Sequence, residues 1–178
     1  MSLIDSTYFA FDINVPASDY NNLDAYITKY EKEILMKLLG YELYKLVAAY
    51  DAGTSPQRIK DLVEGKEYTL TSGELIKWNG LKNTDKISLI AYYTYYWFVR
   101  DNSTSLEGIG NRKLTGENSE AANSGMKISA AWTKLKALYG GFGESKYVPS
   151  AYNFLSNYEG DYPEWEFDSI GSINNWDL

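Results

Sequence analysis

The sequence predicts a mainly α-helical fold, a small helical bundle around a central aromatic helix, with one β-hairpin and an extended C-terminal tail. The run Leu89–Asn102, LIAYYTYYWFVRDN, is apolar or aromatic on every side of a helix. A helix without a polar face belongs inside a protein rather than on its surface. Two other segments repeat apolar residues at three- and four-residue spacing, which is typical of helices that bury one face. A chain of 178 residues is long enough to enclose such a core.

Residues 1–17 are predicted to form an extended arm, because the stretch FAFDINV before Pro16 alternates apolar with small or polar residues. Residues 18–145 are predicted to form the helical domain. Its first helix should carry one apolar stripe, and Gly40 is placed to end or kink it. The stripe consists of Leu23, Tyr26, Ile27, Tyr30, Ile34 and Leu38.

A second helix and a hairpin are expected next. Ser55 followed by Pro56 is a helix start signal, and it predicts a short helix over Gln57–Glu64 that ends at Gly65. Two β-prone runs around the loop TSGE predict a β-hairpin at about residues 66–78. A two-stranded hairpin is only marginally stable alone, so it should pack on helices or on a neighbouring subunit.

The central helix should supply much of the core. Thr84 or Asp85 is placed to cap it, and a further helix over residues 124–139 should pack near it. Aromatic residues at every angle of a helix indicate a core rather than a ligand slot, although each tyrosine tip needs a polar partner. The predicted core residues of these two helices are Tyr92, Tyr96, Trp97 and Trp132.

Residues 104–123 are rich in Gly, Asn, Ser and Thr, and they predict a long loop. Long loops inside a compact domain are often functional, so this one is expected to order against a partner, with Ile109 and Arg112 among the contacts. The segment GIGNRK resembles a phosphate loop only faintly, because no strand precedes it and no helix directly follows.

Residues 146–178 are predicted to be an acidic, aromatic tail. From residue 147 onward there are six acidic residues and neither Lys nor Arg. Aromatic residues alternate with the acids, and two roles are open for them. They can anchor the tail in a groove on another protein, which is the preferred interpretation, or they can fold back over helices of the same chain. These residues are Tyr158, Tyr162, Trp165, Phe167 and Trp176.

Composition narrows the function classes. The chain has no Cys and no His, so thiolate chemistry, Ser-His-Asp catalysis and zinc-cysteine sites are excluded. We expect no catalytic, cofactor or metal residues and no enzymatic activity, although carboxylate chemistry with Mg²⁺ remains open. A net charge of −7 argues against a protein that binds the phosphate backbone. The aromatic run offers only about 13 uncharged residues, fewer than the roughly 20 that a bilayer requires, and no signal peptide is visible.

The order of several motifs carries a resemblance over about residues 20–140. DLVEGKEY at 61–68 is followed by the hairpin, WNGLK at 78–82, FVRDN at 98–102, GIG at 108–110, ENS at 117–119 and a helix with Trp132. In this order they resemble the head–tail connector (adaptor) proteins of tailed bacteriophages and prophages.

The resemblance implies a structural virion assembly protein that forms a homo-oligomeric ring, a dodecamer, between portal and tail. Its partners would be other copies of itself, the portal protein and a tail or stopper protein. The ring would line the channel through which DNA passes without specific binding, with no membrane and no cofactor. Such a protein resides at the head–tail interface of the virion, and in the host cytoplasm during assembly. The alternative is a non-catalytic module that binds carbohydrate or protein through exposed aromatic residues.

Overall fold

Helices dominate the computed structural model of this chain, which describes residues 2–15, 19–70, 72–102, 104–107, 110–113, 124–140 and 149–171. Within these ranges it has five α-helices and two antiparallel hairpins, so the prediction of a mainly α fold with a β-hairpin is confirmed. The helices are α1 (Tyr20–Ala48), α2 (Gln57–Glu64), α3 (Leu89–Asn102), α4 (Ser124–Gly140) and α5 (Ala151–Asn157). The strands are β1 (Lys66–Thr69), β2 (Leu75–Trp78), β3 (Thr104–Glu107) and β4 (Gly110–Lys113).

Helix α3 is the centre of the bundle and packs against both α1 and α4. Its residues are buried from its first residue to Tyr96, so the absence of a polar face is explained by burial on all sides. Polar tips reach partners at the edge of the core: the Tyr92 hydroxyl donates to the carboxylate of Asp12 at 3.0 Å and that of Tyr93 to Glu33 at 2.5 Å. Burying these aromatic rings together with their hydroxyl bonds favours one arrangement of the three helices.

The predicted core residues of α3 and α4 differ in depth. Tyr92 and Tyr96 are buried as predicted, whereas Trp97 and Trp132 are half-buried and pack against the core. The start of α3 also differs from the prediction, because the Ser88 hydroxyl accepts from the Ile90 amide. Ser88 therefore takes the capping role that was expected of Thr84 or Asp85.

Helix α1 is broken at Gly40, as its position in the sequence predicted. Gly40 has φ 73° and ψ 169°, which are not helical values, and the chain resumes as a helix beyond it. This backbone conformation is accessible almost only to glycine. The break is a kink between two parts of α1, and the C-terminal segment described below contacts the chain there.

The N-terminal segment completes the core instead of extending from it. Two short 3-10 turns, Ser6–Tyr8 and Phe11–Ile13, replace the predicted extended arm. The segment is held by the Glu31 carboxylate, which accepts from the Leu3 amide at 3.0 Å, and by the Tyr8 hydroxyl, which donates to Asn83. Its buried side chains are Ile4, Tyr8, Phe9, Ile13 and Val15.

The hairpin β1–β2 forms with the predicted boundaries, in a register that pairs Lys66 with Trp78 and Thr69 with Leu75. It packs on helices, as its length requires. The Trp78 ring stacks on Phe154 of α5 at 5.4 Å, and its indole N–H donates to the carbonyl of Leu62 at the end of α2.

The second hairpin, β3–β4, corrects the prediction of a loop over residues 104–123. Thr104 pairs with Lys113 and Ser105 with Arg112, so this part of the segment is regular antiparallel structure. Neither strand has the alternation of apolar residues that would have predicted it. Residues 114–123 lie outside the described ranges.

The structure does not separate a helical domain from a tail at residue 146 as predicted. Helix α5 contributes Ala151, Phe154 and Leu155 to the same hydrophobic core as the N-terminal turns and α1. The described part of the tail is therefore continuous with the bundle. Over the described ranges, none of the helices combines the length and apolar character needed to cross a membrane.

Candidate functional site

A set of polar contacts between distant parts of the chain lies at the break in α1. A helix leaves its last carbonyl groups without partners of its own. At Gly40 these carbonyls are met by residues 161–168, which we call the strap. Three of its N–H groups donate to three consecutive carbonyls of α1. The pairs are Asp168 N to Lys37 O at 2.8 Å, Trp165 Nε1 to Leu38 O at 2.8 Å and Glu166 N to Leu39 O at 3.2 Å.

Arg58 of α2 holds the other end of the strap. Its two terminal nitrogens donate to the two carboxylate oxygens of Glu164, each at 2.8 Å, and one of them also donates to the carbonyl of Asp161 at 2.9 Å. The Tyr162 hydroxyl returns a hydrogen bond to the Arg58 carbonyl at 2.6 Å. A two-pronged arginine–carboxylate contact fixes orientation as well as adding energy, so it sets the path of the strap across the surface.

The Arg58 hydrogen bonds lower the pKa of Glu164 from its ordinary value of 4.5 to about 2. The folded-state pKa lies below the unfolded one, so the stabilisation is complete above pH 4.5 and is lost as the pH falls toward 2. Both side chains are 31% exposed, so we expect its size to be about 1 kcal/mol. Trp165 fluorescence or amide exchange in the strap, followed from pH 5 to pH 2, should record the loss. Glu164→Gln is the control, and an unchanged acid transition in that variant contradicts the assignment.

An aromatic cluster lies beside the strap. Phe167 contacts Tyr152 at 4.7 Å and Tyr139 at 5.2 Å between ring centroids, and Trp165 contacts Tyr152 at 5.5 Å. The Tyr139 hydroxyl donates to the carbonyl of Asp168. Tyr152 and Phe167 are each 36% exposed, so the cluster presents aromatic edges to solvent next to acidic groups of the strap.

A second aromatic group forms a ladder at the C-terminal end of α3. The rings of Tyr30 and Trp97 are stacked at 5.4 Å and 3°. Two cations lie beside the stack: the Arg100 guanidinium is 5.1 Å from the Trp97 centroid and the Lys29 ammonium 4.6 Å from that of Tyr30. Stacking and cation–π attraction give these residues a structural role in joining α1 to α3.

The predicted partner-binding residues of the tail lie against their own chain where the structure describes them. Tyr158 contacts Tyr68 at 5.3 Å, Tyr162 is buried, and Trp165 is half-buried at the break in α1. Of the two alternatives for the tail, folding back over the same chain is therefore the one observed through residue 171. Trp176 lies outside the described residues.

The two partner-binding residues predicted in the loop are Ile109 and Arg112. Ile109 lies outside the described residues, and Arg112 lies in β4 opposite Ser105. Sequence reasoning missed Arg58 as the anchor of the strap. Little in the sequence indicated this role, because an arginine in a short helix does not reveal a carboxylate partner 106 residues away.

Phe11 lies in the N-terminal segment that was predicted to be an extended arm. The alternation of the segment puts Phe11 on the same face as Phe9 and Ile13, yet its side chain is 89% exposed. Its φ of +56° lies in the left-handed region, which turns the side chain outward. That region costs a bulky residue about 1–2 kcal/mol. Other exposed large apolar side chains are Tyr41, Leu46, Leu75, Ile87 and Met126.

The contacts at these surfaces are made between segments of the same chain. Across the described residues, no group of three or more acidic side chains is arranged to hold a metal ion. What the arrangement offers is backbone carbonyls, a fixed arginine and exposed aromatic edges, which are groups that recognise extended protein segments. Comparisons of the chain with protein-family models, curated proteins and solved structures returned no match.

Proposed function

We propose that the protein is a head–tail connector subunit of a tailed bacteriophage or prophage. It would form a homo-oligomeric ring between the portal and the next tail component. The proposal begins from the order of motifs over residues 20–140 that resembles this family. The mainly helical bundle with a hairpin on its surface is compatible with that order. A helical bundle with exposed apolar side chains suits a subunit that assembles with other proteins.

Phe11 is the observation on which this proposal depends most. In an isolated chain Phe11 carries two costs: its apolar ring is exposed to water, and its backbone has a left-handed φ. Burial of the ring against another protein would offset the free-energy cost of both. In a ring, each subunit uses one patch to bind a different patch of its neighbour, so a single protruding aromatic residue can serve every contact.

The partners follow from the same proposal. Other copies of this chain form the ring, the portal protein lies on one side, and a tail or stopper protein lies on the other, all within the virion. A net charge of −7 would let DNA pass through the channel without binding, because acidic side chains repel phosphates instead of neutralising them.

Replacing Phe11 by Asn should separate stability from assembly. Asn tolerates left-handed angles, so we expect Phe11→Asn to raise the free energy of unfolding of the monomer by about 0.5–1 kcal/mol. The same change should weaken ring formation or portal binding. Urea unfolding measures the first effect and light scattering the second. Leu75→Asn is the matched control for stability, since Leu75 is 62% exposed but has no left-handed φ. Assembly by Phe11→Asn at the wild-type concentration contradicts the role of Phe11.

Particle sizing together with a pull-down by portal rings tests the function itself. We expect the chain to bind portal rings and to form large particles in their presence. A chain that remains monomeric at high concentration and ignores portal rings counts decisively against the connector proposal.

A protein- or carbohydrate-binding module is the second candidate, favoured by the exposed edges of Tyr152 and Phe167. Aromatic faces of this kind stack on sugars or anchor peptides. A glycan array distinguishes the two functions, because a connector should retain no sugar.

A further inference from the structure

The solvent side of α4 combines exposed apolar surface with positive charge. Four residues at spacings of three and four form one stripe along it, which we call the outer face: Met126, Ala130, Thr133 and Ala137. Met126 is 69% exposed, the next two residues are exposed and the last is half-buried. At about 3.6 residues per turn, the exposed Lys127 and Lys136 lie along opposite edges of this stripe. The outer face therefore has a small, apolar centre and positively charged edges.

The positive charge of α4 is not balanced within the helix. Its sequence contains three lysines and no acidic residue. Lys127 lies in the first turn, where the backbone N–H groups already create a partial positive charge. A cation at that end of a helix is unfavourable, whereas an anion beside it is favourable. An acidic group brought to the outer face by another segment would therefore be stabilising.

The exposed surface of the strap has the complementary character. The strap contains four acidic residues and neither Lys nor Arg. Arg58 pairs with one of them, Glu164, and the other three are exposed: Asp161, Glu166 and Asp168. Between the last two lies Phe167, which is 36% exposed and contacts the equally exposed ring of Tyr152. This surface thus has an aromatic centre and negatively charged edges.

The strap cannot lie on the outer face of its own chain. It is fixed near the C-terminal end of α4, because Phe167 contacts Tyr139 at 5.2 Å and the Tyr139 hydroxyl donates to the Asp168 carbonyl. Tyr139 is buried, so it lies on the side of α4 that faces the core. About 20 Å of helix separates it from Met126. The segment that complements the outer face must therefore come from a different molecule, and each copy of the chain carries one.

We propose that the outer face of α4 binds the strap of a second copy of this chain, with both surfaces in the folded conformation described above. Lys127 and Lys136 lie against the exposed acids of the strap, and Met126 lies against the aromatic rings. Methionine–aromatic contacts at the centre with charges at the rim are typical of protein interfaces. The two surfaces differ from each other, so the contact is heterologous and copies associate head to tail.

This inference stands apart from the connector function, because it depends on the charge and composition of two surfaces of the chain. A chain that self-associates through these surfaces and ignores portal rings retains the inference and loses the connector proposal. A chain that binds portal rings while its outer face and strap do not associate retains the connector proposal and loses this inference.

Reciprocal charge reversal, followed by sedimentation of the complete chain at low ionic strength, tests the contact. We expect the wild-type chain to self-associate. Lys127→Glu with Lys136→Glu, and separately Glu166→Lys with Asp168→Lys, should each weaken association by at least about tenfold. An equimolar mixture of the two variants should associate as the wild type does, because each outer face then meets a strap of opposite charge. A monomeric wild-type chain, or a mixture that stays dissociated, overturns the proposal.

Two controls keep this test specific. The strap should stay in place in Glu166→Lys with Asp168→Lys, because these residues bond α1 through their backbone amides, and unchanged Trp165 fluorescence checks this. Lys32→Glu with Lys82→Glu changes the net charge equally at exposed lysines outside α4, and it should leave association unchanged. If that variant loses as much association as Lys127→Glu with Lys136→Glu, net charge rather than the outer face governs association and the proposal is wrong.

Discussion

A chain with Gly80→Ala is expected to lose about 3 kcal/mol of folding free energy, the largest effect of any single change considered. At this position the end of β2 touches the end of α2. A Cβ on residue 80 would lie 2.5 Å from the Val63 carbonyl oxygen and 2.6 Å from the Gly65 amide nitrogen. Both neighbours are backbone, and the Val63 carbonyl is fixed by the Lys82 amide at 2.8 Å. The clash therefore cannot be relieved by a side-chain rotation.

Gly73→Ala is the control that separates backbone strain from steric overlap. Gly73 has φ +86°, nearly the +84° of Gly80, but an added Cβ there meets no atom within 4 Å. We expect it to lose only about 1 kcal/mol. Urea unfolding of the two variants measures the difference. If Gly80→Ala is no less stable than Gly73→Ala, the close approach of α2 and β2 is not real.

Gly40→Ala is expected to have the second largest effect, about 2–3 kcal/mol, and to detach the strap. An added Cβ would lie 2.7 Å from the Cβ of Glu166, at a φ of +73°. The chain has two responses. It can keep the break and bear the strain, or it can straighten α1 so that the carbonyls bond within the helix. Either response removes the acceptors or the space that the strap uses.

A double-mutant cycle with Glu166→Gly apportions this effect. The second change removes the Cβ in the clash while leaving the Glu166 backbone, whose nitrogen and oxygen are 3.2 and 3.3 Å from the added atom. We expect the pair to recover part, but not all, of the lost stability. Exchange of the Asp168 amide should be fast in Gly40→Ala. Full protection of that amide in the single variant is the result that rejects this account.

Local sequence patterns were sufficient for most of the helices and for the first hairpin. The start signal before Gln57–Glu64 and the β-prone runs around TSGE predicted elements with the observed bounds. The predicted cap was wrong, because Pro56 rather than Ser55 occupies the N-cap position of α2 and no side chain caps it. The burial of α3 followed from its lack of any polar face. The extended arm was predicted wrongly because alternation does not reveal 3-10 turns or the left-handed φ of Phe11.

The candidate site was much less predictable. Acids and aromatic residues in the tail are equally compatible with binding another protein and with folding back on α1. The choice depends on carbonyls released by a break at Gly40 and on Arg58, both more than 100 positions away in the chain. A single sequence contains no signal that pairs such distant groups. Of these contacts, the sequence predicted only the break at Gly40.

The sharing of one core by both ends of the chain bears on how the protein is made. Ile4 in the N-terminal segment and Tyr162 in the strap belong to the same hydrophobic cluster. Tyr162 is synthesised long after Ile4, so the N-terminal turns cannot complete their packing until the strap has left the ribosome. Such distant contacts slow folding. We therefore expect the nascent chain to reach its final packing only after the strap has emerged, with the partly formed bundle as the species that chaperones meet.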